Sequence, residues 1–229
     1  ELDAGTLSTT GETIGLDGTG IFTQTGGTNT LAGPGRLILG QNSGATGTYN
    51  LSGEGELSAA EESIGDSGRG TFNQEGGTNM ATGTLTLGNT SGGTGTYNLS
   101  GTGELSAGNE VVGNSGTGTF TQTSGTNTTA GRLDVGRRSG STGTYTQTGG
   151  SNATDTLSLG TDAGSTGTYD LSGSGELLAR NEGIGNYGTG IFTQQGGTNT
   201  TTNRLDIGIR SGGTGTYIQT GGTNTPHWL

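Results

Sequence analysis

The chain has 229 residues, 54 of them glycine, with no cysteine, no lysine and a formal net charge of −11. Disulfides and thiolate metal sites are therefore excluded. An acidic chain without a basic cluster is ill suited to nucleic acid or an anionic membrane, and no apolar run approaches the roughly 18–20 residues of a spanning helix.

Such a composition would also suit disorder, but the periodicity argues against it. Aromatics recur at Phe22, Tyr49, Phe72, Tyr97, Phe120, Tyr145, Tyr169, Phe192 and Tyr217, in steps of 27, 23, 25, 23, 25, 24, 23 and 25 residues. Disordered glycine-rich tracts have no reason to hold an aromatic, a leucine and an Ile-Gly pair at fixed offsets. A period of about 24 over the whole length is the signature of stacked repeats.

In chain order, Glu1-Leu2-Asp3-Ala4 enters a repeat part-way, as expected of a mature or excised segment of a longer product. Two kinds of repeat follow. The first reads G-T-Y-N-L-S-G-x-G-E-L-S-A with E-x-I-G after it, at Tyr49, Tyr97 and Tyr169; its second half already occurs at Gly5–Gly15. The second reads G-T-F-T-Q-x-G-G-T-N-T with L-x-L-G or L-D-I-G after it, at Phe22, Phe72, Phe120, Tyr145, Phe192 and Tyr217. No linker interrupts the series, which reads as one domain over residues 1–225 with an atypical tail at 226–229.

Each repeat holds three short alternating runs separated by Gly, Asn and Asp, a strand-and-turn signal. The expected fold is all-β: a parallel β-helix, or β-solenoid, of about 24 residues and three short strands per coil, with nine to ten coils. Period two sends the aromatic and Leu57, Leu105 and Leu177 inward, and Glu56, Glu104 and Glu176 outward. Ile64, Val112 and Ile184, or pairs such as Leu85/Leu87, complete a thin core. Gln24, Gln74, Gln122, Gln147, Gln194 and Gln219 occupy the inner position that is leucine in the first kind of repeat. They are expected to form an amide ladder, each bonding the next at strand spacing.

Catalytic chemistry finds little material. His227 is the only histidine, which rules out triads, and no lysine-bearing loop supports phosphate binding. The glycine-rich turns vary too freely for periodic calcium ligation, and neither a cofactor nor a metal is expected. Glu12, Glu110 and Glu182 lie near the phase of Arg36, Arg132 and Arg204 in the following coil, which suggests cross-coil ion pairs rather than a two-carboxylate site. Thr28-Asn29-Thr30 and its equivalents suggest an ice-binding array, but equal counting from the aromatics aligns Thr30 with Leu57. That alignment turns Asn29 outward and breaks the array. Asn-x-Ser/Thr at Asn50, Asn89, Asn98, Asn127, Asn152 and Asn199 makes covalently attached glycans an expectation to test. Pro226-His227-Trp228-Leu229 departs from the pattern; Trp228 and Leu229 are candidates for a lid over the last coil or for a subunit contact. Open strand edges at the two ends would suit head-to-tail assembly.

The segments G-T-G-T-Y-N-L-S-G-x-G-E-L-S-A and L-x-L-G-x-x-x-G-G-T-G-T resemble the glycine- and threonine-rich β-strand repeats of large bacterial secreted surface proteins, including autotransporter-type passengers. The resemblance implies export, a right-handed solenoid and a role as stalk, adhesin or matrix component, with no catalytic residues. The expected function is thus a non-enzymatic extracellular rod that stacks end to end. The alternative is an adhesin that holds glycan or ice on outward Thr, Asn and Glu ladders.

Overall fold

A computed structural model describes residues 1–226; His227, Trp228 and Leu229, and with them the proposed lid, lie outside the described residues. In chain order the strands begin with β1 (Thr6–Ile14), β2 (Thr19–Gln24), β3 (Thr28–Leu39), β4 (Thr46–Leu51), β5 (Glu56–Ile64) and β6 (Arg69–Gln74). They continue as β7 (Thr78–Leu87), β8 (Thr94–Leu99), β9 (Glu104–Val112), β10 (Thr117–Gln122), β11 (Thr126–Val135), β12 (Thr142–Gln147) and β13 (Ser151–Leu159). The last are β14 (Thr166–Leu171), β15 (Glu176–Ile184), β16 (Thr189–Gln194), β17 (Thr198–Ile207), β18 (Thr214–Gln219) and β19 (Thr223–Pro226).

All pairings are parallel, and each strand pairs with the strand two later in sequence. The odd-numbered strands form a ten-stranded sheet and the even-numbered ones a nine-stranded sheet. This is a β-solenoid. Each coil contributes one short and one long strand, because the expected second and third strands run together. The long strand turns a corner at a bulge instead of breaking, as in β9–β11, where the pairing shifts between Thr129 and Leu133. The same corner absorbs length variation. β3 carries Ala32-Gly33-Pro34-Gly35 there, and this insertion accounts for the 27-residue step; a bulge is where a proline lacking its N–H does least harm to a sheet.

The turns explain why glycine is so frequent. Gly65 sits at φ +71°, and a Cβ on it would come 2.1 Å from Thr94 O. Gly95, between Thr94 and Thr96, faces inward, and a Cβ there would come 2.1 Å from Ile64 O. Only glycine lets the end of a long strand approach the start of the short strand one coil further on this closely.

The core is a set of columns. The nine rings stack face to face, with centroids 4.5–5.2 Å apart between Phe22 and Tyr217. Those from Tyr49 to Phe192 are fully buried. Aliphatic columns flank them, with Leu57, Leu85, Leu87, Leu133, Leu157 and Ile184 all at 0–1% exposure.

One register assignment is corrected. Thr28 pairs with Glu56 and Asn29 with Leu57, so Asn29 points inward and is fully buried, while Thr28 and Thr30 face out. Equal counting fails because the first kind of repeat uses a longer turn. Four residues, Ser52-Gly53-Glu54-Gly55, lie between Leu51 and Glu56, whereas three, Thr25-Gly26-Gly27, lie between Gln24 and Thr28. A one-residue slip exchanges the two faces of a strand.

Candidate functional site

The least ordinary chemistry lies inside the coil. Glu62, Glu110 and Glu182 are each 1% exposed. In register they stack with leucines: Glu62 with Leu37 and Leu85, Glu110 with Leu85 and Leu133, Glu182 with Leu157 and Leu205. The expected ion pairs of Glu12 with Arg36, Glu110 with Arg132 and Glu182 with Arg204 are therefore not formed. Each glutamate lies two residues before an Ile or Val that faces the core, and strand alternation sends both side chains the same way. The arginines pair with outer aspartates instead: Arg132 with Asp134 at 2.7 Å, and Arg204 with Asp206 at 2.7 Å. Arg36 makes no ion pair among the described residues.

Each buried glutamate is held by the inward asparagine of the next coil. Asn79 Nδ2 donates to Glu62 at 3.1 Å, Asn127 to Glu110 at 3.1 Å, Asn199 to Glu182 at 3.1 Å, and Asn29 to Glu12 at 2.8 Å. The same amides donate to tyrosine hydroxyls, Asn79 to Tyr97 at 3.1 Å and Asn127 to Tyr145 at 3.2 Å. Each tyrosine in turn donates to a glutamine one coil back, as Tyr97 does to Gln74 at 2.6 Å and Tyr169 to Gln147 at 2.6 Å. The glutamine closes the chain by donating to two backbone carbonyls: Gln74 Nε2 reaches Gly77 O and Glu104 O, both at 3.0 Å. The glutamines thus do not bond to one another as expected. Leu51, Leu99 and Leu171 separate some of them along the column, and even the neighbours Gln122 and Gln147, and Gln194 and Gln219, bond elsewhere, each to its own turn and all but Gln219 to a phenol. Gln24, Gln122, Gln147 and Gln194 repeat the pattern, and Gln219 keeps the contact to Gly222 O at 3.3 Å.

Electrostatics follow from burial. Loss of solvent pushes the Glu62 carboxyl up to about 7, against the stabilising hydrogen bond from Asn79 and with a further rise from the Glu110 charge. Burial takes Glu110 up only to about 6, because Thr129 Oγ1 donates a hydrogen bond at 2.7 Å beside that of Asn127 and both favour the charged form. Glu182 has the equivalent hydroxyl from Thr201 at 2.8 Å and is also raised by burial. At the matching position Glu62 meets Ala81, which stacks on Ala107 just as Thr129 does. Its Oε1 is left without a partner.

The two outer sheet faces differ. On the ten-stranded sheet threonines are interrupted by Glu56, Glu104 and Glu176, and by the apolar Met80 and Leu178. On the nine-stranded sheet the outward positions are almost uncharged, Arg69 and Asp170 being the exceptions. An asparagine ladder runs along that second face, Asn98 donating to Asn73 and Asn73 to Asn50, both at 2.8 Å. Of the Asn-x-Ser/Thr asparagines, Asn127, Asn152 and Asn199 are fully buried and closed to glycan attachment in the folded chain. Open hollows lie elsewhere, along the outer side of the third run. One of about 450 Å³ is lined by Asn109, Arg132, Asp134, Arg137, Arg138 and Asp162.

The inward glutamates and asparagines were missed in the sequence, although E-x-I-G carried the signal for the glutamates. No family model, curated protein or solved structure matches the chain.

Proposed function

We propose that the chain is a non-enzymatic structural module of the cell exterior, a β-solenoid rod serving as stalk, matrix component or fibre subunit that joins copies head to tail. One observation carries this reading. The interior amides, phenols and carboxylates donate and accept mainly among one another and with the backbone, coil after coil. Chemistry invested in cohesion suits a product whose job is its own shape.

Charge distribution supports a directional joint. Residues 1–131 hold twelve Asp and Glu against two Arg, a balance of −10, whereas residues 132–229 hold seven against six, a balance of −1. An acidic leading half meeting an arginine-bearing trailing half favours head-to-tail over head-to-head encounter. Negative-stain microscopy tests the proposal. Fibres that shorten as salt is raised through the range where surface charge is screened agree with it; discrete short rods at every salt and protein concentration reject it.

A further inference from the structure

We infer that the outer face of the nine-stranded sheet is an ice-binding surface. This goes beyond the rod reading and does not depend on whether copies join. The first and third residues of each even-numbered strand point outward on either side of the inward glycine. In β4, β8, β10, β12, β14 and β18 both are threonine. Strands β8 to β14 are consecutive in the sheet, so eight threonines form an unbroken two-by-four block with Thr119 and Thr144 on its two central strands.

Four features give this block the character of a template. Its pairings carry no register shift, whereas most pairings in the other sheet are interrupted by a bulge. Its spacings are therefore those of an ideal sheet, about 4.8 Å between strands and about 6.6 Å between alternate residues. A rectangular net of that size lies close to the net of oxygen positions on the prism face of hexagonal ice. Threonine is branched at Cβ and stiff at χ1, so hydroxyl and methyl hold their places and little rotamer freedom is lost on docking.

The hydroxyls are also free. None of the eight makes a hydrogen bond within the described chain, in contrast to the opposite sheet, where Thr200 and Thr225 bond each other at 2.9 Å and Thr28 donates to Glu56 at 3.3 Å. The block itself bears no charge: Arg69, beside Thr94, and Asp170, two residues beyond Thr168, lie at its margins and offset each other, and the net −11 of the chain resides on the other surfaces. A sugar is the less suitable occupant: the block offers no ring to stack on, Tyr97, Phe120, Tyr145 and Tyr169 of its strands all pointing inside, and no carboxylate within it to grip a hydroxyl. The T-N-T motif, the obvious candidate in the sequence, lies on the other face, where glutamates break it up. The lattice-matched threonines are those of T-G-T.

The test is thermal hysteresis and ice-crystal shaping by the purified chain, measured by nanolitre osmometry. The expected result is a hysteresis gap with faceted crystals. Thr119→Lys, which plants a hydrated charge at the centre of the block, should abolish the gap; Thr128→Lys, on the opposite sheet, should leave it unchanged. Far-UV circular dichroism of each variant checks the fold, and Thr96→Lys replaces Thr119→Lys if the latter does not fold. A natively folded parent chain with no hysteresis overturns the inference. So does an equal loss in the Thr119 and Thr128 variants.

Discussion

Ala81 and Thr129 occupy equivalent inner places, and the difference between them is one hydroxyl facing a buried carboxylate. Burying a polar atom without a partner costs about 1–3 kcal/mol, and Glu62 Oε1 is such an atom. Ala81→Thr should therefore raise the melting temperature at pH 7.5, by the equivalent of about 1–2 kcal/mol, with a much smaller gain at pH 4.5. Circular-dichroism melts at the two pH values check it. A second prediction concerns pH itself. Glu62 and Glu110 have folded-state pKa values of about 7 and about 6, above the ordinary 4.5. The folded chain thus holds protons that the unfolded chain has released. Their contribution is complete below about pH 4.5 and is lost as pH rises through 6 and 7, at up to about 1.4 kcal/mol per pH unit for each group. The rod should melt higher at pH 5 than at pH 8, and Glu62→Gln should flatten that slope. An unchanged slope in the variant would show that Glu62 is ionised without penalty.

At the level of the strand, glycines that look alike in the sequence have unlike duties. Gly95→Ala drives a methyl into Ile64 O, a backbone atom that cannot step aside, and should cost ~3 kcal/mol or more. Gly18 lies in a turn with nothing within 4 Å of its Cβ position and no left-handed φ; Gly18→Ala should leave the urea midpoint nearly unchanged. The contrast between the two midpoints is the measurement. Strand positions, the aromatic column and the aliphatic columns were legible because period two and period 24 reinforce each other at Tyr97, Leu99 and Leu105. The register of Asn29 was not, since a turn one residue longer in one repeat is invisible until pairing partners are known. The burial of Glu62 was legible in principle from its spacing to Ile64. The prior that a carboxylate stays in water hid it, and what overrides that prior is an amide contributed by a different coil.

Over the whole molecule the two repeats act as donor and acceptor of each other's interior polar groups, so the order of coils matters as much as their number. Deleting residues 121–145 removes one of two adjacent coils of the second kind. Asn152 and Thr154, which pair with Asn127 and Thr129, would then take their places over Glu110, and this shortened rod should fold. Deleting residues 73–97, also 25 residues, removes Asn79 and sets Glu62 beside Glu110 in neighbouring coils about 4.8 Å apart. Two buried carboxylates with no amide between them should prevent folding at neutral pH. Equal circular-dichroism spectra for the two deletions would mean that the interior polar contacts do not select coil order.

The direction of the inter-coil bonds has a mechanical consequence. Because they run along the axis, as from Gly88 N to Ile64 O at 2.9 Å and from Thr94 N to Gly68 O at 2.9 Å, tension applied to the two ends loads only the outermost winding at any moment. Such a solenoid should yield by paying out thread winding by winding at modest, nearly constant force, and should rewind when slack returns. It is built as a shock absorber more than as a cable.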